Sequence, residues 1–172
     1  MKKKDIKKLC IAAVLCSIGV VGSLVNFPVF GSKCAPIQHM INVIAAVILG
    51  PVYGVSMAFV TSLVRYLAGL GSLLAFPGSM IGALLSGIVY MLFKNKLLTA
   101  VAEMLGTGIL GGLAAYPIAI LFMGVNASKV AFYAYVVPFL ISTVVGSVIA
   151  YIILLVLDNR KLLDEFKGQL EE

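Results

Sequence analysis

Five stretches of this chain carry no charged residue: 9–32, 34–64, 66–93, 104–128 and 130–157. Each is longer than the roughly 20 apolar residues that cross the hydrocarbon core of a bilayer. Only 12% of the residues are charged and 62% are hydrophobic. An ordinary soluble domain is about a quarter charged. So little polar surface cannot cover a globule in water, and lipid has to do it instead. Within lipid every backbone polar group must be satisfied internally, and separate apolar runs of this length do that as helices. The expectation is an all-α integral membrane protein.

The run 34–64 is too long for one span, at about 46 Å against a core of about 30 Å. Gly50-Pro51 divides it, because glycine suits the residue just past a helix and proline the first turn of the next. The segment 69–78, with three glycines and Pro77, breaks the following run as an outer loop. Helices are therefore expected over about 7–25, 36–49, 51–70, 78–93, 97–122 and 133–157. With a charged tail over 158–172 they form one membrane domain covering 1–172. The basic start imitates a secretory signal, but no small-x-small cleavage site follows, so 7–25 reads as an uncleaved first helix. The turn-rich segment 26–35 is expected as a loop. The tail, with Leu162, Leu163, Phe166 and Leu170, is expected as a solvated helix end.

Charge sets the orientation. With six helices, Lys2, Lys3, Lys4, Lys7, Lys8, Lys94, Lys96, Arg160, Lys161 and Lys167 fall on the side of the termini. Lys33 and Lys129 fall on the other, and Arg65 within a span. Basic loops stay in the cytoplasm, so both termini are expected there, in a multi-pass plasma-membrane protein. The net charge of +6 is thus a topology signal. No basic stripe interleaved with aromatics points to nucleic acid.

The first helix carries small residues four apart, Ala12 with Cys16 and Ala13 with Ser17. Such pairs let a second helix approach closely. Two readings stay open: packing inside the protein, or docking of a membrane partner.

Polar residues inside the spans are the informative ones, since membrane-buried polar groups usually mark a binding site or pathway. Gln38, His39 and Asn42 share a helix face. Counting from the helix ends puts Asn42 and Arg65 at one level, each about 9 Å below the outer edge. Tyr66, Phe76, Tyr116, Phe132, Tyr133 and Tyr135 lie near that level. From these, Gln38, His39, Asn42, Arg65, Tyr66, Phe76, Ser79, Tyr116 and Tyr133 are the expected binding residues. The alternative is that Arg65 snorkels to the surface and Gln38 caps its helix. Glu103, counted from the cytoplasmic side, falls about 12 Å from Arg65 along the membrane normal. It is therefore expected outside the pocket.

Enzyme chemistry finds little support. His39 has no carboxylate neighbour in sequence, and no G-x-S-x-G, H-E-x-x-H, EF-hand or Walker A pattern occurs. Without a phosphate loop the chain does not hydrolyse ATP by the usual route. Three cysteines without repeated spacing suggest neither a disulfide framework nor a metal site. No catalytic residue, metal ligand or cofactor is expected in this chain. A stand-alone permease would need an inverted repeat or paired broken helices, and no convincing repeat is visible.

With six helices and a basic start, the chain resembles the S components of energy-coupling factor (ECF) transporters, small substrate-capturing membrane subunits. Residues 36–42, Leu49-Gly50-Pro51, Arg65 and Ala75-Phe76-Pro77-Gly78 look like the ThiW type. Its small-residue pattern is imperfect here, with Ser17 paired to Ala13. The resemblance implies capture of the thiamine precursor hydroxyethylthiazole from outside. It also implies docking through Ala12, Ala13, Cys16 and Ser17 on a transmembrane coupling subunit with two ATPases, which would use the ATP. Thiamine or its pyrimidine precursor are alternative substrates.

Overall fold

Gly50 and Pro51 make the sharpest local decision in the chain. Gly50 adopts φ +84, a left-handed conformation that glycine reaches without strain. Pro51 then opens a helix where its missing N–H costs nothing. The computed structural model describes residues 3–29 and 32–171. Lys2 of the basic start, Phe30 and Gly31 of the expected loop and Glu172 of the tail lie outside them.

Among the described residues there are seven helices and one small hairpin. In chain order they are α1 (Lys3–Gly22), β1 (Phe27–Val29), β2 (Ser32–Cys34), α2 (Pro36–Ile48), α3 (Pro51–Leu67) and α4 (Ala75–Phe93). These are followed by α5 (Lys96–Met123), α6 (Val136–Asn159) and α7 (Leu162–Glu171). By length and composition α4, α5 and α6 can each cross a membrane, and α2 is a shorter apolar helix. The strands pair antiparallel, Phe27 opposite Cys34 and Val29 opposite Ser32. The expected loop 26–35 is thus partly a hairpin.

The side-chain pattern is that of a membrane bundle. Along α6, Ser142, Thr143, Gly146, Ser147 and Ala150 are buried, while Val137, Val144, Val148 and Ile152 are exposed. Small residues inside and large aliphatics outside suit helices that pack closely and show their bulk to lipid. At the centre, α2 is buried without a break from Ile41 to Val47. A helix apolar all round belongs in the interior. Val43, Ile44 and Val47 form a core with Tyr90, Ala100, Ala150, Leu154 and Leu163.

Five boundaries differ from expectation by three residues or more: both ends of α1, the end of α3 and the starts of α4 and α6. α1 starts earlier, at Lys3, and ends at Gly22. α4 starts at Ala75, so Phe76, Pro77 and Gly78 belong to its first turn. Proline is allowed there because first-turn N–H groups have no partner within the helix. The charged tail is mostly exposed, as expected, but it also docks on the bundle. Leu163 and Leu170 of α7 are buried, Lys7 Nζ donates to the Gln169 carbonyl at 2.7 Å, and Lys167 Nζ donates to the Tyr90 hydroxyl. The helical spacing of the tail leucines buries one pair and leaves Leu162 and Phe166 exposed.

α5 widens to π-helical geometry over Met104–Gly111, an arrangement often found at functional sites. Its glycines pack directly on α4. A side-chain carbon on Gly106 would lie 2.9 Å from Gly82 Cα, closer than non-bonded atoms tolerate. This contact brings Glu103 and Thr107 against the interior of the bundle.

Candidate functional site

A cavity of about 460 Å³ lies at the hairpin end of the bundle. Small-molecule sites typically measure about 300–1,000 Å³. The beginnings of α2, α4 and α6 surround it through Ala35, Gln38, Ala75, Gly78, Tyr135 and Phe139. Arg65, near the end of α3, and Thr107 of α5 complete the wall.

Gln38 is held from two sides. Its Nε2 donates to Ser62 Oγ at 2.9 Å and to Ser79 Oγ at 2.6 Å. Asn42, one turn deeper, donates from Nδ2 to Ser79 Oγ at 3.1 Å and to Glu103 Oε1 at 2.9 Å. The same carboxylate oxygen accepts from Thr107 Oγ1 at 3.0 Å and meets His39 Nδ1 at 3.2 Å. His39 Nδ1 is thus the ring nitrogen engaged by Glu103. Asn42 and Glu103 are fully buried and form a polar floor beneath the cavity wall. At the rim, Ser142 Oγ accepts from the Ala35 N–H at 3.0 Å, and the Cys34 thiol donates to the Pro138 carbonyl at 3.2 Å. Burial pushes that thiol above its ordinary titration range.

A family model described as thiamine-precursor transporter protein (ThiW) matches residues 9–160. The chain belongs to the ThiW family. It is therefore a membrane protein of a thiamine-precursor transporter family. No curated protein and no solved structure matches it significantly.

In this ThiW chain Gln38, His39, Arg65 and Ser79 line the cavity, and Asn42 stands just behind them. The aromatics expected there do not. Tyr66 is exposed and packs edge-on against Phe76, with ring centroids 6.4 Å apart, and Phe76 also meets Phe59. Tyr133 is exposed and pairs with Phe132. Tyr116 is half-buried and outside the lining. Tyr135 and Phe139 supply the aromatic surface instead. Tyr133 and Tyr135 are at one depth but two residues apart, which places them on different sides of the chain. Depth alone cannot tell them apart.

Glu103 is outside the cavity lining, as expected, but its distance from the polar set is corrected. Expected about 12 Å from the polar set, it bonds directly to Asn42 and His39. The error lies in the end from which α2 was counted. With 13 residues it is about 20 Å long, some 10 Å short of the core thickness. Counted from Gly50-Pro51, Asn42 stands about 12 Å along α2, close to the level of Glu103.

The expected docking residues on α1 divide into two faces. Ala12 is buried, and Cys16 accepts from Thr61 Oγ1 at 3.2 Å, so both pack toward the bundle. Ala13 and Ser17 are exposed, and Ser17 Oγ donates back to the Ala13 carbonyl at 2.9 Å. Among the described residues no group of three His, Cys, Asp or Glu could hold a metal ion.

Proposed function

We propose that this chain is the substrate-capturing membrane subunit of an ECF vitamin transporter. It takes the thiazole precursor of thiamine, hydroxyethylthiazole, from outside the cell. The carrying observation is the cavity itself: a space of small-molecule size, lined by apolar and polar side chains, at one end of a ThiW-family bundle. Tyr135 and Phe139 offer faces to a flat ring, and Gln38, His39 and Ser79 offer hydrogen bonds to its heteroatoms and hydroxyl. In this reading six helices, α1 to α6, span the plasma membrane. Both termini are cytoplasmic and the cavity opens outward. The exposed Ala13–Ser17 face of α1 docks on a transmembrane coupling subunit that carries two ATPases, and ATP hydrolysed by those partners drives release inside.

Titration of the purified full chain in detergent with hydroxyethylthiazole, thiamine and the pyrimidine precursor tests the substrate. Saturable binding of the thiazole and not of the other two is expected, and no binding of the thiazole sinks this assignment. Uptake into proteoliposomes tests the partners. Transport should require the coupling subunit and ATPases, and transport by this chain alone would make it a stand-alone permease.

A further inference from the structure

Arg65 is the least explained group in the cavity wall. Its residue surface is 4% exposed, so it does not snorkel to water. It forms no side-chain hydrogen bond or ion pair among the described residues, and its Nε is buried without an acceptor. Its stem touches the turn at Gly71, and the side chain lines the cavity. A buried, uncompensated cation is costly, and natural sites keep one where a ligand completes it.

The surroundings carry the same sign. From residue 6 to residue 157 the chain has one acid, Glu103. That carboxylate is wholly buried, accepts from Asn42 and Thr107, and is not part of the cavity lining. Three helices of 13, 19 and 24 residues, α2, α4 and α6, all begin at the cavity. Each helix start carries roughly half a positive charge. At α4 the first N–H groups are used in the preceding turn, Ala75 to Ser72 and Phe76 to Leu73, so its contribution there is dipolar. The guanidinium supplies the directed donors, in a fork that matches two oxygens of an oxyacid.

We infer that the cavity selects a thiazole bearing an anionic oxyacid group, a phosphate monoester or a carboxylate, which Arg65 binds, over the neutral alcohol. This rests on the thiazole assignment above and refines it.

The test is calorimetric titration of the full chain in detergent with four probes: hydroxyethylthiazole, its phosphate monoester, the analogous thiazole acetate and inorganic phosphate. The monoester or the acetate should bind at least ten-fold tighter than the alcohol. Whichever of the two is tighter identifies the oxyacid, and inorganic phosphate alone should bind more weakly than either. Arg65→Gln should remove the preference for the anionic thiazoles, and Arg65→Lys should keep part of it, since charge survives without the fork. Thermal melts of both variants in the same detergent establish that they are folded. Equal or tighter binding of the alcohol by the wild-type chain overturns the inference and leaves the thiazole assignment standing. An equal loss for alcohol and ester in Arg65→Gln also overturns it. Binding of none of the three thiazoles overturns both.

Discussion

Asn42 Nδ2 lies 2.9 Å from Glu103 Oε1, which ties the central helix α2 to α5, just before its π-helical region, across the floor of the cavity. Both residues are fully buried, so neither can turn to water if the other is lost. Thr107 and His39 meet the same oxygen. One carboxyl group therefore ties two helices together and holds the Nδ1 side of a cavity-lining histidine.

Replacing Glu103 with alanine takes an acceptor from Asn42 and His39, while Thr107 keeps the Gly78 carbonyl at 3.1 Å. Unsatisfied buried donors of this kind cost about 1–3 kcal/mol each before relaxation. Glu103→Ala should lower the thermal midpoint of the detergent-solubilised protein clearly. Glu103→Gln keeps a carbonyl oxygen at the same place and should lose less than half as much. Equal losses would mean that the charge, not the acceptor, holds the floor together.

The contact between α4 and α5 depends on missing side chains. A side-chain carbon on Gly82 would sit 2.6 Å from Glu103 Oε2. Gly82→Ala should therefore destabilise by about 1–3 kcal/mol, as overpacking does. Gly168 in α7 has open space around it. Gly168→Ala should be neutral, or stabilising by up to about 1 kcal/mol from helix propensity. Thermal melts of the two variants beside the wild type compare them directly.

Binding should separate two tyrosines that the sequence makes look alike. Tyr135 lines the cavity, whereas Tyr133 faces out against Phe132. Tyr135→Ala should weaken hydroxyethylthiazole binding about three- to ten-fold, the scale of an aromatic contact. Tyr133→Ala should leave it unchanged. Gln38→Ala should weaken it as well, because that amide also holds Ser62 and Ser79 in place. Isothermal titration reads all three, and a loss in Tyr133→Ala with none in Tyr135→Ala would move the site.

These residues also show what was legible in the chain. The break at Gly50-Pro51 needed only local stereochemistry, and the structure has it at the same two residues. Gln38, His39 and Asn42 were visible because polar groups inside a lipid-facing composition need a reason, and their spacing alone puts them on one face. Glu103 was misplaced because Asn42 was counted from the outer end of a helix shorter than the core, while Glu103 was counted from the inner side. The signal that could have corrected this was the length of α2 itself. Ser62, Ser142 and Tyr135 were out of reach for another reason. Which side of a helix faces the cavity depends on how its neighbours are rotated, and small or aromatic residues occur on every face.

Cys34 offers a chemical probe of the cavity. Burial raises the pKa of its thiol, so at neutral pH less thiolate is present than in an ordinary cysteine, and thiolate is the reactive form. With Cys10 and Cys16 replaced by alanine, maleimide should label Cys34 slowly near pH 7 and faster as pH rises. The increase should come at higher pH than for a free thiol. A raised pKa also means that this residue's contribution to stability is intact in the neutral range and is lost as pH climbs past the ordinary cysteine value. Bound substrate should slow labelling further, because Cys34 lines the cavity. Rapid labelling unaffected by substrate would show that the wall is open at the hairpin.

The two faces of α1 give the last prediction. Ala12 is buried against the bundle, and a side-chain carbon on Gly19 would meet Thr61 Cγ2 at 3.0 Å, so this face has no spare room. Ala13 and Ser17 point away from it and are exposed between Val14 and Ile18. Small residues four apart on an open face are what a partner helix needs for close approach in lipid. Ala13→Leu or Ser17→Leu should leave the fold and substrate binding intact, because neither side chain touches the bundle interior or the cavity. The same changes should abolish co-purification with the coupling subunit and transport in proteoliposomes. Ala12→Leu should instead lower the thermal midpoint of the isolated chain, since it forces bulk into an interior contact. Normal complex formation by both Ala13→Leu and Ser17→Leu would rule out this face of α1 as the docking surface.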